Sequence, residues 1–500
     1  MLQMKLIRKS ATPQNAARAL QHRRFNHHVV PLIINGRDVH GEDFEVKTPL
    51  TNRPIWNATA ASPQNVEDAV SSAQAAFPAW AATKPSERRD IFLQTADIMV
   101  KRKNEFTTYM HQEIGASEDM QNFIFGLSIE GLKDTAGRIA GAVTGTMPQS
   151  NHKGMRAIIE KVPYGVVLGI GPWNAPFHLG LRSFTFPLAA GNTAIFKGPE
   201  MAPRCAWAIA DAFREAGLPA GCLNLITHKP SGGADITEQL VAHPSVKKIN
   251  FTGSTRVGSI IAASAGRHLK PVLMELGGKN SAIVLQDADM EKAATQCALG
   301  AFMNSGQICM STDRILVHKS VVSRFKTAFA AAIEREVLSK PDMGPVLINT
   351  ASADKSRGLI ANALERGASL EYGSQGAESQ VPTRMRPTVI SGVDSTMDIY
   401  QTEAFGPSVS LFTFETEQEA LDIANNTDYG LSAAVFTSDL QTGLRLSRQL
   451  ESGAVHINSM TIHDEYALPH GGVKASGFGR FNGYQGLDEF LYYKTVTWMD

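Results

Sequence analysis

Gly165-Val166-Val167-Leu168-Gly169-Ile170 is an uninterrupted apolar run, and a proline-flanked turn, Pro172-Trp173-Asn174-Ala175-Pro176, follows it at once. A strand with no polar alternation belongs in a sheet covered on both faces. Working outward, Asn192–Lys197 is a second strand candidate, and Trp207, Ala210 and Phe213 then fall on one helical face that Gly217 and Pro219 close. Cys222–Ile226 and Lys247–Phe251 read as further strands and Arg256–Ala265 as a helix. Strands alternating with helices at this spacing predict a parallel, doubly wound α/β sheet, which binds ligands at the carboxyl ends of its strands.

The same alternation restarts at Ser281–Leu285. It continues through Arg314–His318, helices near 320–336 and 352–366, and the segments Leu431–Thr437, Gln441–Leu450 and Ala454–Asn458. The reading is of two α/β units, 29–147 with 165–276, and 277–484, meeting near Gly277-Gly278. Upstream, Val30–Gly36 is a short strand ended by an Asn-Gly turn, and Ser86 is placed to cap a helix that carries Phe92, Ala96 and Met99. Gly154–Val162 and Leu491–Met499 suit strands that pair outside both units, within 148–164 and 485–500.

The bulk numbers exclude several classes. Lys plus Arg and Asp plus Glu both total 48, and no basic run is interleaved with aromatics, so a nucleic acid partner is not indicated. No apolar stretch approaches the roughly 20 residues that span a bilayer. The four cysteines, Cys205, Cys222, Cys297 and Cys309, form neither a disulfide framework nor a metal-ligand spacing, which predicts a reducing, intracellular setting and no metal. The first 37 residues carry seven Lys or Arg and no Asp or Glu. Such a basic extension, set here at 1–28, resembles a mitochondrial transit peptide, and the plainer alternative is an unaddressed basic tail in a cytoplasmic protein.

Six places carry chemistry. Asn304-Ser305-Gly306-Gln307-Ile308-Cys309-Met310 puts a thiol on a turn-forming segment just past an apolar helical run, where a nucleophile sits well; a quiet buried cysteine is the alternative. Phe251–Gly258 is a strand end, a glycine turn and a helix start, able to hold a phosphate or to be an ordinary capped βα turn. Lys197, with Glu200 three residues on, could hydrogen-bond a ribose, and the carboxylate would repel the 2′-phosphate of NADP; a surface ion pair is the alternative. The Asn174 amide could hold an oxyanion or simply form a turn before proline. Glu275 lies in the apolar stretch Leu273–Leu276, as suits a general base, unless it pairs with Lys279. Glu403-Ala404-Phe405-Gly406-Pro407 joins a carboxylate and a ring ahead of a turn, and taken alone reads best as a core plug.

Together these segments resemble the aldehyde dehydrogenase superfamily from about residue 30 to the end, including Pro469-His470-Gly471-Gly472 and Ser476-Gly477-Phe478-Gly479-Arg480. The resemblance implies an aldehyde dehydrogenase fold: a Rossmann-like NAD-binding domain, an α/β catalytic domain and a small β oligomerisation extension. It implies that Cys309 attacks the aldehyde, that Asn174 with the Cys309 backbone N–H holds the oxyanion, and that Glu275 activates the hydrolytic water. NAD would be held by Lys197, Glu200, Gly253, Ser254, Glu403 and Phe405, with Ile170 and Trp173 beside it. The tail strand implies a homodimer or homotetramer.

Trp-Asn-Ala-Pro and Gln-Ile-Cys-Met-Ser-Thr are most similar to the salicylaldehyde and vanillin dehydrogenase branch, which implies an aromatic aldehyde with Phe177, Arg182, Met310 and His470 near the pocket. Arg182 would receive a ring hydroxyl or carboxylate, or else be a helix-surface or interface charge. His470 departs from the phenylalanine usual before that Gly-Gly. Two other enzymes and one non-enzyme compete with this reading: a coenzyme A-acylating dehydrogenase, a Cys/His hydrolase, and an NAD-binding scaffold without activity.

Overall fold

Val166–Ile170 and Thr193–Lys197 are buried at every position, as central strands must be when helices cover both faces of their sheet. In this computed structural model, which describes residues 29–339, 345–374 and 380–499, they lie at the centre of an eight-stranded sheet. From one edge its order is Gly477–Phe478, Val272–Glu275, Val246–Thr252, Val166–Ile170, Thr193–Lys197, Leu223–Ile226, Leu32–Ile34 and Arg37–Val39. The five strands from Val272–Glu275 to Leu223–Ile226 are parallel, and the edges are antiparallel. The amino-terminal extension expected over 1–28 lies outside the described residues.

A second sheet of seven strands runs Ser369–Tyr372, Thr388–Ser391, Ser408–Phe414, Thr312–His318, Asn280–Val284, Ser432–Phe436 and Ala454–Ile457. Only its first strand is antiparallel. Glu275 ends a strand of the first sheet and Asn280 begins one of the second, so the four residues between them, Gly277-Gly278 included, carry the chain across. Two separate clusters of buried side chains fill the layers of the first sheet, and others fill those of the second.

Two expectations change. The segment 277–484 is not confined to the second sheet, because Gly477–Phe478 returns to pair with Met274 and Glu275. Gly477 makes that return possible: its φ is 113°, and a Cβ there would lie 2.1 Å from the Met274 carbonyl oxygen. The helix expected to be capped by Ser86 starts two residues earlier, with Lys84 at the cap and Pro85, whose fixed φ suits a first helical position, and the Lys84 N–H donates to Glu87 Oε2 at 2.7 Å. Met155–Pro163 and Leu491–Met499 pair with each other, antiparallel over nine residues, as an arm outside both sheets. Among the described residues no helix is long and apolar enough to cross a membrane.

Candidate active site

The Cys309 segment is held in a conformation that its sequence alone would not choose. After the helix Met290–Phe302, Asn304, Ser305 and Gly306 take φ of 50°, 61° and 72°. Left-handed backbone costs a non-glycine residue roughly 1–2 kcal/mol, so neighbours must fix it. They do: Ser305 Oγ accepts from Val346 N at 2.9 Å, and the Gln307 amide bridges Val346 O (3.1 Å) and Ile348 N (2.8 Å). Asn280 Nδ2 donates to the carbonyls of Cys309 and Ser311, both at 2.8 Å. Gly278 allows this approach, since a Cβ there would lie 2.4 Å from Cys309 O.

Two further groups meet the cysteine. Asn174 is buried at the start of the helix Pro176–Ala189, and its Nδ2 donates to Gln307 O at 3.0 Å. An amide has two N–H donors, so one remains for a ligand oxygen. Glu275 is 1% exposed, and neither of its carboxylate oxygens has a hydrogen-bond partner among the described residues. Lys279 does not neutralise it: the ammonium goes to Asp313 at 2.8 Å and to Thr402 O at 2.9 Å. A buried carboxylate without partners costs several kcal/mol, which a structural role does not explain. Burial pushes the Cys309 thiol well above its ordinary range, and the Glu275 carboxylate pushes it further.

On one side of Cys309 lies a cleft of about 840 Å³, open to solvent, lined by Trp173, Asn174, Gly253, Ser254, Glu275, Glu403 and Phe405 among others. Ser254 Oγ caps the helix Thr255–Arg267 by accepting from Val257 N at 3.4 Å, which leaves the helix amino terminus facing the cleft. Glu403 Oε1 accepts from Gly278 N at 3.0 Å, and burial raises its carboxyl to about 7 against the opposing pull of that N–H and of Lys355. Gly277 makes room, because a Cβ there would lie 2.7 Å from a Glu403 oxygen. Phe405 takes φ 49° and meets Trp173 edge-on, ring centres 5.9 Å apart. Ile170 and Lys197 are register partners at the same carboxyl edge. Burial lowers the Lys197 ammonium to about 8, and Glu200, 3.9 Å from His228 Nε2, opposes that shift.

On the other side lies a second cavity, again lined by Cys309 and Asn174. Its walls are chiefly apolar, with Met120, Phe123, Ile124, Leu127, Met310 and Ile462, and one region is polar, with His178, Arg182, Asp464 and His470. Phe177, expected in this wall, is not there. It is fully buried, 5.0 Å edge-on from Phe106, because the helix Pro176–Ala189 turns His178, Leu179 and Arg182 to the cavity instead. Arg182 is neither a surface charge nor free: it is fully buried and pairs with Asp464.

A model of the aldehyde dehydrogenase family matches residues 37–496. The chain belongs to that family. It is therefore an oxidoreductase acting on aldehydes, in a family that uses NAD(P). It is 40% identical to a vanillin dehydrogenase of Pseudomonas fluorescens, over 94% of this chain and 97% of that one. It is 36% identical to an NAD(+) benzaldehyde dehydrogenase of Pseudomonas putida, over 88% and 90%. The crystal structure of a salicylaldehyde dehydrogenase from Pseudomonas putida G7, complexed with salicylaldehyde, superposes with a TM-score of 0.91 at 35% identity, covering 95% and 99%.

In this aldehyde dehydrogenase the polar region of the second cavity was only half legible in the sequence. His178 and Arg182 are four apart on one helix and so share a face, a signal that was available. Their partners gave none. Asp464 binds His178 at 2.9 Å and Arg182, Asn482 Nδ2 donates to Asp464 at 2.8 Å, and the Tyr466 hydroxyl meets His178 Nδ1 at 3.1 Å. Burial alone would raise the Asp464 carboxyl, but Arg182 and the adjacent histidines outweigh it and hold it well below its usual 3.8. Because the native value is depressed, this stability is present above 3.8 and is lost as the pH falls below it. Asp464→Ala would strand the buried Arg182 charge. It is expected to cost about 3–5 kcal/mol in urea unfolding, and a loss below about 1 kcal/mol would contradict the pairing.

Proposed function

We propose that this enzyme oxidises an aromatic aldehyde to its carboxylic acid with NAD as acceptor, through an acyl group carried on Cys309. One observation carries the reading: Cys309 and Asn174 line both cavities, so a carbonyl placed at the thiol is open to the large cleft on one side and to the apolar cavity on the other. The donor set of the cleft fits a dinucleotide. It offers a helix amino terminus for phosphate, Glu403 for one ribose, and Phe405 and Trp173 against a flat ring; Lys197, outside the cleft lining at the carboxyl end of its strand, would hold the other ribose with Glu200.

Cys309 sulfur attacks the carbonyl carbon while its proton passes to water in the open cleft, which leaves Glu275 ionised for the later step. The carbonyl electron pair moves to oxygen, where the second Asn174 N–H and the Cys309 backbone N–H receive it, a contribution of about 3–4 kcal/mol. When bound, NAD accepts the hydride that leaves this carbon. Glu275 then removes a proton from water as the water oxygen bonds to the thioester carbon, and the C–S bond breaks with its electrons going to sulfur.

Apolar walls support an aromatic substrate, and so do the names of the vanillin, salicylaldehyde and benzaldehyde dehydrogenases among the relatives. Arg182 Nε and Nη1 have no partner among the described residues, while Asp464 already balances the charge. That favours a ring hydroxyl over a second carboxylate beside the aldehyde. A screen of NADH formation with benzaldehyde, salicylaldehyde, vanillin and hexanal, with and without coenzyme A, tests the reading. Turnover that requires coenzyme A, or that favours hexanal, would overturn it.

Glu200 supports NAD over NADP because its carboxylate would face a 2′-phosphate. Glu200→Gln is expected to reduce the NAD-over-NADP preference in kcat/KM by about tenfold, since a like-charge contact is worth about 1.4 kcal/mol or more in a half-buried site. Equal preference in variant and parent would remove the role. The arm of Met155–Pro163 and Leu491–Met499, with Tyr493 and Met499 more than half exposed, supports a homodimer or homotetramer in which it joins a second copy's sheet.

A further inference from the structure

The His470 imidazole lies between two carboxylates. Nε2 is 3.9 Å from Glu275 Oε1, and Nδ1 is 4.0 Å from Asp464 Oδ1. The ring is almost fully buried, and its backbone is strapped to Phe481 by hydrogen bonds of 3.0 and 2.7 Å, so the ring is held in place. We infer that His470 is a positioning residue for Glu275, which receives the proton that Glu275 takes from the hydrolytic water. The inference rests on the reading of Glu275 as the base for thioester hydrolysis.

The need for such a group follows from the site. Two groups face the Glu275 carboxylate, the Cys309 sulfur and the His470 ring, and while the sulfur carries the acyl group it is the ring that can take the proton Glu275 gains. Glu275 must lose that proton before the next cycle. A phenyl ring at this position could neither accept it nor pass it on. Charged and titratable groups surround the imidazole. Glu275 and Asp464 face it directly, and Arg182 and His178 lie behind Asp464. His456 stands on the strand Ala454–Ile457, and Arg480 packs over Gly471. Burial lowers both His178 and His456 to about 4, so neither adds a competing charge near neutral pH. Arg182 is already taken by Asp464, which it keeps ionised.

The balance is simple. The water oxygen bonds to the acyl carbon, and one water proton goes to Glu275. The C–S bond breaks and sulfur keeps the pair. The proton passes from Glu275 to His470 Nε2 and then to the Cys309 sulfur, which restores thiol, carboxylate and neutral imidazole.

The test is stopped-flow NADH formation by the whole enzyme with an excess of benzaldehyde and NAD, across pH, in wild type, His470→Phe and His470→Ala. His470→Phe is expected to release its first equivalent of NADH at close to the wild-type rate, while later turnover falls at least about tenfold. The pH profile of that later phase should lose one ionisation, and added imidazole should restore turnover to His470→Ala. Wild-type turnover with an unchanged pH profile in His470→Phe would overturn the role. So would an equal loss in both phases, which would make His470 a substrate contact. Glu275→Gln, run alongside, separates the two levels: if it leaves later turnover intact, the base is elsewhere and the role of His470 falls with it.

Discussion

Cys309→Ser is expected to lower aldehyde oxidation by on the order of 10⁴-fold or more, because a serine hydroxyl is a far weaker nucleophile here and the one group that bonds to substrate is lost. Folding should be preserved. The side chain is only partly buried, and the loop is held by contacts of Ser305, Gln307 and Asn280 rather than by the sulfur. Thermal unfolding and binding of NAD, followed by calorimetry, are therefore expected to match the parent. A variant that turned over at more than a few per cent of the parental rate would show that the thiol is not the attacking atom. The other three cysteines offer no substitute, since all are buried away from both cavities.

The second large effect is expected from Glu275→Gln. Removing a base in contact with the water it activates costs about 10²–10⁴ in rate, and the loss should fall on hydrolysis of the thioester rather than on its formation. The first equivalent of NADH should still appear, followed by a nearly flat line. The amide keeps the shape of the carboxylate and removes an unpaired buried charge, so the variant is also expected to unfold at equal or higher denaturant concentration. Simultaneous loss of both phases would place Glu275 at an earlier step.

The sheet was legible because Val166–Ile170 is apolar at every position and the strands that follow alternate with helices, a pattern that has few other meanings. The edge strand Gly477–Phe478 was not, since two residues carry no period and its register depends on Gly477 reaching Met274 across the structure. Cys309, Asn174 and Glu275 were readable as candidates from residue type and setting. What holds them is long-range: Asn280 and Val346 reach the Cys309 segment from elements 29 and 41 residues away. Phe177 misled because its neighbour in sequence, His178, faces the cavity; on a helix adjacent residues point about 100° apart, so one lined the space and the other filled the core. The pairing of Arg182 with Asp464 spans 282 residues, which no local pattern anticipates.

The account stands on a covalent acyl group attached to one sulfur. The most direct test is intact and peptide mass spectrometry of Glu275→Gln after mixing with benzaldehyde and NAD and quenching in acid. A single benzoyl adduct on the peptide that contains Cys309, in amounts matching the first equivalent of NADH, is the expected result. NADH formed with no adduct on that peptide, or with the acyl group on another residue, would contradict it.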